Sequence, residues 1–332
     1  MNIISLFSGC GGLDMGFLGG FTSLGRAYPK HKFNVIFAND IDKNACLTYS
    51  RYFDHEPVCA DIRELLAADA LPSEADIVLG GFPCQDFSHA GKRKGLATER
   101  GTLYQAMCDV VARTKPALFI AENVKGLLTM NNGAAIAQIV KDFAELGYHV
   151  TYKLLKVADY GVPQTRERVI IVGTRMGSLP PFDFALMPPL SQRVTVEDAI
   201  GDLETVAEGG VPNHYWSKAK KNNGQGNGTV RRDALAPTIR AEHHGNIEFH
   251  YNGERRLSAR EAARIQSFPD EMVFYPSTSS AYKQIGNAVP PVFAWHLART
   301  VRVLMCPLKQ GCDYTKTEHI RRRIKWIRER RA

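Results

Sequence analysis

The chain has 332 residues, 44% hydrophobic and 23% charged, an ordinary balance for a globular protein able to bury a full core. No apolar run approaches the roughly 20 residues of a transmembrane helix, and the first residues have neither a basic n-region nor a cleavage-like pattern, so neither a membrane protein nor a secreted one is expected. The net charge is +8, but eight Lys and Arg against two Glu after residue 315 supply most of it, so a polyanion partner is hinted at without being placed on the body of the protein.

Ile3-Ile4-Ser5-Leu6-Phe7 reads as a buried first strand. It runs into Ser8-Gly9-Cys10-Gly11-Gly12-Leu13-Asp14, a glycine-rich turn opening a helix, which brings backbone amides close to an anionic ligand group. A dinucleotide fingerprint needs a third glycine where Asp14 stands, which disfavours a NAD-linked oxidoreductase. Residues 35–38 read as a strand ending in Asn39-Asp40-Ile41-Asp42. An acid there meets ribose hydroxyls, caps the helix expected over 43–53, or does both. Further strands are expected at 56–60, leading to Asp61-Ile62, at 75–79, and at 116–121, leading to Glu122-Asn123-Val124, with helices over 102–114 and 134–146. This alternation implies an α/β fold with a doubly wound, mostly parallel sheet. Ligands of such sheets sit beyond the carboxyl ends of the strands, and those ends carry Gly9, Asp40, Asp61, Cys84 and Glu122.

The strand at 75–79 ends in Gly80-Gly81-Phe82-Pro83-Cys84-Gln85-Asp86-Phe87-Ser88. Two glycines let the chain turn, Pro83 fixes the backbone, and Cys84 emerges beside a polar, Gly- and Lys-rich loop over 89–101. A thiol so placed is a nucleophile under a lid, or else a small buried hydrophobe.

Strands at 148–157 and 169–172 flank Tyr160-Gly161-Val162-Pro163-Gln164-Thr165-Arg166-Glu167-Arg168. After about residue 175 Gly, Pro and Asn dominate, which sets off a smaller irregular domain over 179–279 from a catalytic domain built of 1–178 and 280–305. Within it Arg231, Arg232, Arg240 and Arg255 are candidates for phosphate or base-edge contact, with solvated loop as the plain alternative. Ser258 and Glu261 form a capping box opening a helix over 257–265, and an apolar helix over 292–305 returns to the first domain. The basic tail, 306–332, has Ile320, Ile324 and Ile327 at helical spacing, which predicts an amphipathic helix. Seven scattered cysteines fit reduced thiols of the cytosol, and Cys306 and Cys312 lack partners at zinc-ligand spacing, so no metal is expected.

In this order the motifs resemble those of the bacterial cytosine-5 DNA methyltransferases. The likeness is carried by Phe7-Ser8-Gly9-Cys10-Gly11-Gly12, Asn39-Asp40-Ile41-Asp42, Asp61-Ile62, Gly81-Phe82-Pro83-Cys84-Gln85-Asp86-Phe87-Ser88, Arg100-Gly101-Thr102-Leu103, Glu122-Asn123-Val124, Gln164-Thr165-Arg166-Glu167-Arg168, Arg260-Glu261-Ala262-Ala263-Arg264 with Phe268-Pro269-Asp270, and Gly286-Asn287-Ala288-Val289-Pro290. Residues 179–235 carry none of it; in this family that stretch varies with the DNA sequence read.

The resemblance implies a class I S-adenosylmethionine-dependent fold with a target-recognition domain, S-adenosylmethionine as methyl donor, and double-stranded DNA as partner. It places Phe7, Gly9, Cys10, Gly11, Gly12 and Leu13 at the methionine end of the cofactor and Asp40 on the ribose. Ile41, Asp61 and Ile62 would border the adenine, with Pro83, Leu103 and Asn287 completing the pocket. Some members have a longer acid and an aromatic where this chain has Asp40 and Ile41. By the same match Cys84 would attack C6 of a flipped cytosine, Glu122 would hold a proton at N3, and Arg168, with Arg166, would donate to O2 and orient Glu122. Gln85, Ser88, Lys92, Arg93 and Lys94 would close over the DNA. By analogy such an enzyme is monomeric, cytoplasmic and nucleoid-associated, and protects host DNA alongside a cognate restriction endonuclease. A related branch methylates transfer RNA, but its Cys-Phe-Thr signature is absent; a non-catalytic cofactor- and DNA-binding module is the other alternative.

Overall fold

The computed structural model describes residues 1–83, 103–221, 226–241 and 247–305. Its strands are β1 Asn2–Leu6, β2 Phe21–Ser23, β3 Arg26–Tyr28, β4 Asn34–Asp40, β5 Val58–Cys59, β6 Ile77–Gly80, β7 Leu118–Val124, β8 Tyr148–Lys156 and β9 Glu167–Arg175. Seven form one sheet in the order β5-β4-β1-β6-β7-β9-β8, while β2 and β3 pair as a separate hairpin. All sheet neighbours run parallel except β9, which is antiparallel to both β7 and β8. Helices α1 Gly12–Leu18, α2 Lys43–Tyr52, α3 Ile62–Ala67, α4 Leu103–Thr114 and α5 Ala134–Glu145 alternate with the strands. Then come α6 Val196–Ile200, α7 Ala259–Ile265, α8 Thr278–Asn287 and α9 Pro291–Met305. Among the described residues no helix is long and apolar enough to cross a membrane.

The central strands are apolar on both faces through most of their length because both faces of the sheet are covered. Ile77, Leu79, Leu118, Ile120, Ile170 and Val172 pack on one side with Phe17 of α1 and Phe293 of α9. Val78, Phe119, Ala121, Val169 and Ile171 pack on the other with Met107 and Val110 of α4 and Ile139 and Phe143 of α5. Each such side chain, fully buried, contributes about 1.5–3 kcal/mol of transfer free energy for the larger types. Val196, Ile200, Leu257, Ala262 and Ile265, from the stretch read as irregular, join Val289 and Phe293 in the first of these clusters.

The return of α9 onto α1 depends on a missing side chain. A Cβ on Gly16 would lie 2.3 Å from the Ala294 Cβ and 2.6 Å from its carbonyl carbon. Gly16→Ala should therefore lower stability by about 1–3 kcal/mol through overpacking. A denaturation midpoint equal to that of the unsubstituted protein would show that the helices do not meet there.

Two expectations need correction. The strand expected over 56–60 shrinks to Val58–Cys59, an edge strand with both side chains exposed and no apolar face to extend it. The irregular stretch expected to run to 279 gives way to a helix, α8, that leads to Asn287; Ala281, Tyr282 and Ile285, all buried, carry its helical spacing. The predicted tail, 306–332, lies outside the described residues.

Candidate active site

The chain runs outward from β1 to β4 and β5, then returns to β6 and β7 on the other side of β1. Such a switch leaves a crevice beyond the strand ends. A cavity of about 590 Å³ occupies that position. Its wall includes Phe7, Gly9, Cys10, Gly12 and Leu13 after β1, Asp40 to Asp42 after β4, and Asp61 and Ile62 after β5. Pro83 follows from β6, Leu103 from α4, Glu122 to Val124 from β7, Arg168 from β9, and Gly286 to Val289 from the end of α8. Of the expected cofactor set only Gly11 is not in the wall; it stands behind it.

The glycines are required by close approach. Gly11 has φ +91°, and a Cβ there would meet the Phe53 ring at 2.3 Å. A Cβ on Gly12 would come within 2.3 Å of the Val289 carbonyl oxygen. The turn is thus clamped between α2 and the α8–α9 connection. Asp40 holds it from a third side: its carboxylate accepts from the Gly9 N–H at 2.7 Å and the Asp42 N–H at 2.8 Å. Burial nonetheless raises the Asp40 pKa above the usual carboxylate value. Each oxygen has received one hydrogen bond and can accept a second, which suits a diol. Capping falls to the other candidate, Asp42, whose side chain accepts from Asn44 and Ala45 and meets Lys283 Nζ at 2.6 Å. Ile41 is 68% exposed at the rim, unusual for a large aliphatic side chain. Asp61 caps α3 and is ion-paired with Arg63, while Ile62 beside it is buried. Cys10 is buried, and desolvation pushes its thiol up to about 12, which makes it inert.

At the other end Arg168 Nε lies 2.6 Å from Glu122 Oε1, and both side chains are nearly buried. Sheet register explains the pair. In the antiparallel β7–β9 ladder Arg168 stands opposite Val124, so Glu122 is its diagonal neighbour on the same face. A parallel β9 would carry Arg168 to the far end of the sheet. Asn123, next to Glu122 in the strand, faces the opposite way. It is buried and donates through Nδ2 to the Phe82 carbonyl at 3.0 Å, fixing the turn that leads to residue 84. Cys84, Gln85, Ser88, Lys92, Arg93 and Lys94 themselves lie outside the described residues.

Several of the candidate arginines have partners within the chain. Arg166 is absent from the cavity wall; it is 1% exposed and donates to the carbonyls of Ile239, Gly286 and Ala288. Arg255 is spent on a bidentate pair with Glu261, 2.7 Å on each arm, and lies over the Trp216 ring. Arg232 pairs with Glu197 and Glu204 and covers Tyr251, and Arg231 pairs with Asp233. Their charges are largely answered within the chain. Arg240 is exposed.

Asp14, in place of a third glycine, is wholly buried and accepts from Ser5 Oγ at 2.6 Å and Tyr49 Oη at 2.7 Å. Tyr49 Oη is also 2.8 Å from His55 Nε2. Burial raises the Asp14 carboxyl from 3.8 to about 6. The folded state therefore holds this proton more tightly than the unfolded state. Its contribution is full below pH 4 and is lost as pH rises through 6. Asp14→Asn should remove that dependence, so that the stability difference between variant and unsubstituted protein shifts by about 1–2 kcal/mol in the variant's favour from pH 5 to 7.5. Parallel stability curves over that range would refute the assignment.

A model of the family described as C-5 cytosine-specific DNA methylase matches residues 1–222 and 202–302. The Type II methyltransferase M.NgoFVII of Neisseria gonorrhoeae is 37% identical over 333 residues, covering 90% of this chain and 86% of its own. M.FnuDI of Fusobacterium nucleatum, also a Type II methyltransferase, is 35% identical, covering 91% and 94%. Among solved structures, Dnmt2 of Spodoptera frugiperda superposes with a TM-score of 0.66 at 17% identity, covering 90% of this chain and 99% of that one. A prophage-encoded E. coli protein assigned as a DNA modification methyltransferase gives 0.72 at 21%, covering 92% and 99%.

Proposed function

We propose that this chain, which belongs to the C-5 cytosine-specific DNA methylase family and has the class I methyltransferase fold, methylates C5 of one cytosine within a specific duplex sequence. The observation that carries the reading is the Glu122–Arg168 pair set in the same cavity wall as the glycine turn and Asp40.

The wall suits S-adenosylmethionine. Asp40 keeps free acceptor capacity for ribose hydroxyls, Ile41 offers an exposed aliphatic surface at the rim, and Gly9 has open space where a side chain would stand. When bound, that group supplies an electrophilic methyl. The chain's own residues prepare the acceptor. Cytosine C5 is a poor nucleophile, and a stacked base is out of reach, so the base must leave the helix. Cys84 adds as thiolate to C6; the displaced electron pair moves into the ring towards N3 and O2. Glu122 supplies the proton held at N3, and Arg168 donates to O2. Electron density at C5 rises as a result. After transfer, loss of the C5 proton to a base expels the Cys84 thiolate and restores the ring.

The residues around Arg240 form the DNA-reading side, and the modified motif is protected from a cognate endonuclease. Bisulfite sequencing of unmethylated plasmid treated with the protein and S-adenosylmethionine tests the whole reading, and digestion of the product by endonucleases cutting that motif tests the pairing. Protected cytosines within one short motif are expected. No protection, with tritium transfer to transfer RNA, would move the activity to RNA; silence on both with cofactor bound would make the chain a binding module.

A further inference from the structure

Arg166 is among the most deeply buried charges in the described structure, yet no carboxylate is hydrogen-bonded to it. Burial and the neighbouring Arg168 charge push its pKa down to about 9. Holding a guanidinium in such a place is costly, and an apolar side chain of similar volume would fill the space without that cost. What an apolar residue lacks is the planar fork. Nη1 donates to the Ile239 carbonyl at 2.9 Å, and Nη2 to those of Gly286 at 2.9 Å and Ala288 at 3.1 Å. One side chain thereby ties the segment bearing Arg240 to the cavity wall at the end of α8.

Two glutamines complete the junction. Gln164 Oε1 accepts from the Ile239 N–H at 3.3 Å, so that residue is gripped by both its backbone groups. Gln164 Nε2 donates to the Ile265 carbonyl and to Gln266 Oε1. Gln266 Nε2 then donates to Ala288 O, the same carbonyl that Arg166 holds. The segments also touch directly: a Cβ on Gly286 would lie 2.2 Å from the Arg240 carbonyl carbon. Arg166 is two residues from Arg168, so in extended chain both leave the backbone on the same side.

We infer that Arg166, with Gln164 and Gln266, is a positioning clamp that couples the seating of the DNA-reading segment to the cofactor wall and to Arg168. The inference rests on the function proposed above. A wrong base pair that displaces residues 236–241 pulls on Arg166, and so misplaces both the wall and the Glu122–Arg168 pair. Sequence discrimination and cofactor affinity are then two readings of one junction.

Arg166→Lys keeps the charge and loses the fork. It should weaken S-adenosylmethionine binding about 10-fold and lower kcat on the order of 100-fold, the scale of a 1 Å misplacement. It should also reduce the kcat/KM ratio between the cognate site and sites altered at one base pair. Gln266→Met should move the same three quantities the same way, and it serves if the first variant folds poorly. Because both residues hold Ala288 O, the double variant should lose less than the sum of the singles. Unchanged cofactor Kd and discrimination, or activity falling only with the folded fraction, would overturn the clamp. A loss in kcat alone would also overturn it, and place Arg166 on the base instead. An unsubstituted protein that protects no cytosine would refute the function itself, a result these variants cannot mimic.

Discussion

Cys84→Ala is expected to abolish methyl transfer, by on the order of 10⁴-fold or more, while leaving DNA binding within about twofold. The reaction needs an atom that can add to C6 and later leave, and a methyl group does neither. Pro83, the residue before it, stands in the cavity wall, and Asn123 holds the Phe82 carbonyl of the same turn. On the proposed mechanism, the turn that precedes Cys84 is thus held at the wall that also carries Glu122. The substitution removes a single sulfur and leaves every candidate DNA-contacting side chain in place, which is why binding should survive. Single-turnover methylation and gel-shift titration on one duplex measure the two quantities. Normal methylation would eliminate the covalent mechanism, and equal loss of binding would make Cys84 part of the DNA grip.

Glu122→Gln should cost about 10²–10⁴-fold in the chemical step, with cofactor affinity little changed. A carboxylic acid can deliver a proton to N3 and take it back; a carboxamide can only offer hydrogen bonds. Among the described residues, the groups that crowd Glu122 are a guanidinium and a glycine, neither of which can take over the proton transfer. Arg168 closes on Oε1 at 2.6 Å, and even a Cβ on Gly81 would lie only 3.3 Å from Oε2. Rapid-quench kinetics across pH separate the effect from binding. A variant with a full-rate step would show that ring protonation comes from elsewhere.

The strand ends were legible before any coordinates. Apolar runs ending in Gly9, Asp40 and Glu122, with Asp61 after the short edge strand, come together in one wall because a parallel sheet brings the ends of its strands to a common edge. The capping box of Ser258 and Glu261 was also readable, since it depends on residues three apart. Contacts between distant segments were not. Arg166 and Arg168 look alike in sequence, both basic and both in one motif. Only the fold separates them, one opposite Val124 on an antiparallel strand, the other turned into three carbonyls up to 122 residues away. Arg255 looked like a free cation until Glu261 answered it.

The sequence by itself determined the class of the sheet, the glycine turn, and which residues could do chemistry, because these follow from local periodicity, turn preference and side-chain type. Tertiary structure decided which charges are free, which are answered and which act as structural ties. Those depend on register and on what is brought alongside a buried guanidinium, and the cost of burying a charge is set by neighbours that no local window of sequence contains.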